Sequence, residues 1–87
     1  MEFVKLVKGF EVLENGENIG HIEFTIHDGV MRITHTEVKE KARGKGLATE
    51  LVNTAVRYAR HKNLKVKPLC SIADFVLKNG DFKDVLE

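Results

Sequence analysis

Apolar and polar residues alternate through the first part of the chain and then change period. Ile22, Phe24 and Ile26 alternate with His21, Glu23, Thr25 and His27, the two-residue period of a strand with one buried face. Asn15-Gly16 and Asp28-Gly29 bracket this segment, and both dipeptides suit the left-handed positions of a two-residue hairpin turn. A less regular strand over Phe10–Leu13 precedes it, Val30–Val38 follows the second turn, and Phe3–Val7 adds an edge. On Val30–Val38 the alternation sets Met31, Ile33 and His35 on one face and Thr34 and Thr36 on the other.

Beyond Val38 the period lengthens. Leu47, Ala48, Leu51, Val52, Ala55, Val56 and Ala59 recur at the spacing of one helix face. They predict a helix over Gly46–His61 with Glu50, Asn53, Arg57 and Arg60 on its polar side. Leu64–Leu69 reads as a short strand halted at Pro68. Strand, loop, helix, strand is a crossover that makes the last strand parallel to a neighbour. A second helix is expected over Ser71–Lys78, closed by Asn79-Gly80, with the tail packing through Phe82, Val85 and Leu86. The expected fold class is mixed α+β: an antiparallel meander of three to four strands, then loop, helix, strand and helix, in a single domain spanning 1–87.

Composition narrows the possibilities. At 87 residues, 43% of them apolar and 31% charged, the chain has the profile of a small globular domain near the lower limit of folding without staples. One cysteine excludes an internal disulfide framework and a multi-cysteine metal site, and no metal is expected. No segment resembles a signal peptide or reaches membrane-spanning length, so the cytoplasm is the expected compartment and no membrane partner is foreseen. The net charge is only +1, but it is unevenly spread. Lys39 to Lys67 holds nine basic residues and two acids, whereas the flanks hold five basic and eleven acidic residues. Such a positive region steers anionic ligands. Tyr58 is its only aromatic residue, so there is no evident platform for stacking bases.

Thr34 to Leu51, THTEVKEKARGKGLATEL, concentrates the chemistry. Gly44 and Gly46 stand immediately before the helical apolar series, at a helix N-terminus whose first N–H groups lack partners. The helix dipole favours negative charge there, and glycine lets the backbone approach a ligand. Lys41, Arg43 and Lys45 add positive charge with no acid from Lys41 to Ala48. A phosphate or pyrophosphate suits this loop, although glycines before a helix also serve as plain turns. It is no P-loop, because Gly44-Lys45 is followed by Gly46 rather than Ser or Thr. A dinucleotide fingerprint fails for want of its third glycine.

Two further residues are candidates. Cys70 falls where the last strand meets the second helix, at the strand edge where ligands collect in α/β arrangements and where helix N–H groups favour a thiolate. A lone cysteine is also commonly an inert core residue. His35 lies near the end of the strand that feeds the loop, a position that is often merely structural.

The ordered series His35-Thr36-Glu37-Val38, Arg43-Gly44-Lys45-Gly46-Leu47-Ala48, Tyr58-Ala59-Arg60 and Pro68-Leu69-Cys70-Ser71 resembles the very small GNAT-like N-acetyltransferases. These form a minimal branch of the Gcn5-related acetyltransferase superfamily. The resemblance covers roughly Gly20 to Val76. The superfamily signature of Gln or Arg, two residues, Gly, one residue, then Gly or Ala falls on Lys41, Gly44 and Gly46, with lysine departing from the pattern at the first place.

The resemblance implies acetyl-coenzyme A as co-substrate. Its pyrophosphate would rest on the loop formed by Lys41, Arg43, Gly44, Lys45, Gly46, Leu47 and Ala48. Its pantetheine arm would lie along Glu37 and Val38, with the thioester near Cys70. The acceptor would be an amine of a small molecule or a protein, and the chain a monomer or weak dimer. Cys70 would either take the acetyl group, with His35 as base, or protonate the leaving thiolate. Two other readings compete: a coenzyme A binder without catalysis and, ranked last, a nucleic-acid-binding module built on the basic segment.

Overall fold

A computed structural model describes Met1–Glu87. The strands are β1 (Glu2–Leu6), β2 (Gly9–Glu14), β3 (Glu17–His27), β4 (Val30–Val38) and β5 (Lys65–Pro68), and the helices are α1 (Leu47–His61) and α2 (Ser71–Lys78). The strands form one sheet in the order β1-β2-β3-β4-β5. The first four are antiparallel neighbours, and β5 joins β4 in parallel. The mixed α+β class, the N-terminal meander and the parallel final strand therefore match the reading of the sequence, with four strands in the meander.

Local chemistry explains the turns. Asn15 and Gly16 sit at φ +52° and +80°, and Asp28 and Gly29 at +51° and +76°, the paired left-handed residues of a type I′ hairpin. Gly9 is required for a different reason. A Cβ there would lie 1.9 Å from the Ile22 carbonyl oxygen, inside van der Waals contact with the backbone of β3.

Both helices lie on one face of the sheet. α1 packs against β2, β3, β4 and β5 and touches α2. Its stripe Leu47, Leu51, Val52, Ala55, Val56 and Ala59 is buried against Val12, Ile22, Phe24, Met31, Ile33 and Val66. Tyr58 extends this core by stacking on Phe24 and meeting Phe10 edge-on, with ring centroids 6.0 and 5.9 Å away. Ile26, expected on the buried face with Ile22 and Phe24, is 46% exposed. Pairing with β2 ends at Gly9 opposite Glu23, so Ile26 lies at a corner of the sheet flanked by β4 alone.

β4 departs from simple alternation. Glu23 pairs with His35 and Phe24 with Ile33, so Thr34 is an extra residue on β4, a bulge. The bulge shifts the phase of every later side chain. Thr36 and Val38 are buried, whereas His35 and Glu37 are exposed. The expected face shared by Met31, Ile33 and His35 is therefore corrected: His35 lies on the sheet face that no helix covers.

The tail closes beyond β5. Val66 bridges to Leu86 and Val85 is buried. Arg60 clasps the Asp84 carboxylate through two hydrogen bonds, of 2.9 and 2.8 Å.

Candidate active site

β4 loses its β5 partner where its bulge begins to act, and this leaves the edge of the strand beyond Ile33 without a strand neighbour. Parallel pairing ends at Ile33 opposite Pro68, with the Leu69 N–H donating to the Ile33 carbonyl at 2.8 Å. On the other edge, the Lys39 N–H donates to the Ile19 carbonyl at 2.9 Å. Hydrogen-bonded pairs alternate along an antiparallel ladder, so Glu37 and His35 bond to β3 while Thr36 and Val38 turn their backbone groups toward the missing partner. The Val38 carbonyl on that side accepts from Arg43 Nε at 2.9 Å.

The loop that follows leads directly from this open edge into α1. A short 3-10 turn, Glu40–Ala42, buries Ala42. Gly44 and Gly46 adopt φ +81° and +76°, which a residue with a Cβ enters only at a cost of about 1–2 kcal/mol. No atom lies within 4 Å of the place a Cβ would take at either glycine, so the space beside the backbone is free. Gly46 caps α1 without any side-chain hydrogen bond. The first bond of the helix is the Glu50 N–H to the Gly46 carbonyl, leaving the amides of Leu47, Ala48 and Thr49 directed outward. Val38, Arg43, Gly44, Gly46, Leu47 and Ala48 together line a cavity of about 130 Å³.

A larger cavity, about 420 Å³, lies beside the β2–β3 hairpin and includes Lys41 and Lys45. Glu14, Glu17 and Glu50 line it as well, and three carboxylates make it a poor place for phosphate despite its size. Lys41 forms an ion pair with Glu17, and this hydrogen bond holds the Glu17 carboxyl below its usual range. Of the loop residues singled out in the sequence, Arg43, Gly44, Gly46, Leu47 and Ala48 thus gather around one concavity, whereas Lys41 and Lys45 face another.

At the other end of the open edge stands Cys70, half-buried as the N-cap of α2. Its Sγ accepts from the Ala73 N–H at 3.4 Å and lies 3.4 Å from Thr36 Oγ1. Thr36 is the partner that the sequence did not reveal, because uninterrupted alternation places it on the opposite face. Side chains alternate across a strand, so His35 points away from Cys70. It lies instead beside His21, ring centroids 5.4 Å apart, and Glu37 belongs to the same outer group.

A profile of GCN5-related N-acetyl-transferases matches residues 9–85. The chain belongs to this family. No curated protein matches its sequence. Among solved structures, a GCN5-like protein from Staphylococcus aureus is 27% identical, with a TM-score of 0.81 over 99% of this chain and 87% of that one. More distant GCN5-related folds also superpose. An aminoglycoside N-acetyltransferase in complex with CoA is 18% identical, TM-score 0.68, over 91% of this chain and 69% of its own. A predicted acetyltransferase of Clostridium acetobutylicum with acetyl-CoA is 22% identical, TM-score 0.65, over 91% of this chain and 61% of its own. These two share the fold. No helix of the chain is long and apolar enough to cross a membrane.

Proposed function

We propose that the protein is an acetyl-coenzyme A-dependent N-acetyltransferase. The observation that carries this reading is the continuity of the unpaired β4 edge with the uncapped, glycine-flanked N-terminus of α1. Pyrophosphate fits the second feature: free amides of Leu47, Ala48 and Thr49, a favourable helix dipole, and the remaining N–H groups of Arg43. A pantetheine arm, which carries amides of its own, fits the first by pairing with the Thr36 carbonyl and the Val38 N–H. This alignment directs the thioester toward Cys70.

In the reaction a neutral amine attacks the thioester carbonyl, a C–N bond forms, and the C–S bond breaks to release the thiolate of coenzyme A. The amine loses one proton and the thiolate gains one. The Thr36 N–H, on the open edge beside Cys70, is the donor we assign to the developing oxyanion. We assign Cys70 as the acid beside the departing sulfur. Thr36 and Ala73 are its hydrogen-bond partners, and neither is a base suited to activating it as a nucleophile, so direct transfer is favoured over an acetyl-cysteine.

Calorimetric titration with acetyl-coenzyme A tests the reading. Wild type should bind, and Gly44→Glu, which sets bulk and a like charge in the concavity, should not. Cys70→Ala should retain binding while turnover, followed as coenzyme A release from a panel of primary amines, falls about a hundredfold or more. An intact-mass gain of one acetyl group that disappears in Cys70→Ala would restore the covalent route. Binding without turnover on any amine would leave a non-catalytic coenzyme A binder.

A further inference from the structure

The uncovered face of the sheet carries a cluster that the proposed transfer does not use. His21 and Glu37 are directly opposed across β3 and β4, and Glu23 and His35 form the next opposed pair. The bulge at Thr34 is what brings His35 onto this face beside His21. One ligand atom from each of His21, His35 and Glu37 lies within 4.8 Å of the others. His21 Nε2 is 3.2 Å from Glu23 Oε2, and His21 Nδ1 is 3.8 Å from Glu37 Oε1.

We propose that His21, His35 and Glu37 form a binding site for a divalent transition-metal ion of the zinc class. Two imidazoles and one carboxylate are the donors that zinc, nickel and copper select, whereas calcium and magnesium require a shell of oxygens. Tetrahedral donors about 2.1 Å from zinc lie about 3.4 Å from one another, so small side-chain rotations close the set. The fourth position is left for water or for Glu23. If Glu23 stays on His21 Nε2, it fixes the tautomer that presents the Nδ1 lone pair to the ion, the outer-carboxylate support that metal-bound histidines commonly have. His21 is half-buried and its neighbours stand on paired strands, so the ligands are held by the sheet rather than by a loop. A bound ion would pin β3 to β4 at the bulge, on the uncovered face of the strand segment that has the free edge.

Zinc chloride titrated into the full 87-residue chain, followed by calorimetry and by ¹H–¹⁵N amide spectra, tests the site. One ion per chain is expected, with amide shifts centred on residues 21–23 and 35–37. Affinity should drop at least tenfold in His21→Gln, His35→Gln and Glu37→Gln. It should be unchanged in His61→Gln, whose histidine is exposed at the far end of α1, and in Cys70→Ser, which removes the thiol as a rival ligand. Matching circular dichroism would show that each variant is folded. The proposal is overturned by absence of saturable binding, by equal loss in His61→Gln, or by full affinity in His21→Gln and His35→Gln.

Discussion

Thr36 stands between the two ends of the proposed site. Its backbone lies on the free edge of β4, and its hydroxyl reaches the Cys70 sulfur at 3.4 Å while the residue itself is 5% exposed. A buried hydroxyl needs a partner, and here the sulfur is the one available. Thr36→Val keeps the β-branched shape and removes only this bond. We expect stability to change by about 1 kcal/mol or less and acetyl-coenzyme A to bind as before. Turnover should fall about tenfold, the effect of losing roughly 1.5 kcal/mol of hydrogen bonding to a group that carries charge during transfer. Calorimetry and steady-state rates on the same preparation separate the two. Equal turnover would remove the Thr36 hydroxyl from the mechanism.

Element by element, what was legible depended on whether the signal was local. Asn15-Gly16 and Asp28-Gly29 announce their turns because few other dipeptides tolerate two successive positive φ angles. The α1 stripe announces itself because its period is carried by seven residues of one helix. The bulge has no such local mark. Met31, Ile33 and His35 alternate as if the strand were regular, and only pairing with Glu23 and Phe24 shows that Thr34 is the surplus residue. The positions of Thr36, His35 and Glu37 all follow from it, which is why the sequence located the glycine loop but misplaced His35. The ion pair of Lys41 was hidden for a related reason: its carboxylate partner Glu17 belongs to a strand distant in sequence.

The bulge also makes its own prediction. Deleting Thr34 leaves Ile33, Thr36 and Val38 facing inward and His35 and Glu37 outward, so the core pattern survives. What is lost is the local bend that bulges impose, and it is lost where β4 parts from β5. The deletion variant should fold, with a circular dichroism spectrum like that of wild type. Its acetyl-coenzyme A affinity should fall at least tenfold as the free edge realigns with β5. Deleting Arg32 instead also absorbs the surplus residue but turns Ile33 out of the core and Thr34 into its place opposite Phe24, so that variant should melt well below the Thr34 deletion.

At the scale of the whole molecule, 87 residues in a two-layer arrangement leave little core, and the C-terminal tail supplies part of what holds it closed. Val85 inserts beside β5, the Val66 N–H donates to its carbonyl at 2.7 Å, and Phe82 lies under the Arg60 guanidinium, 5.8 Å from the ring centre. The Arg60–Asp84 clasp fastens this tail to α1, and Lys65 adds a hydrogen bond to the Asp84 carbonyl at 2.8 Å. Hydrogen bonding from Arg60 holds the Asp84 carboxyl below the ordinary aspartate range. A carboxyl depressed in the folded state binds protons more readily when unfolded, so its contribution is complete above the unfolded value, near pH 4, and disappears as the pH falls through the lower folded value. Glu17, depressed by Lys41, has the same sign. Asp84→Asn should therefore melt below wild type at pH 7, and the gap should close as the pH falls below about 4. Because the pair is exposed and screened by salt, the gap at pH 7 should also narrow at 1 M sodium chloride. Thermal melts of both proteins across that range measure it, and a gap that widens on acidification would show that Asp84 acts through something other than its charge.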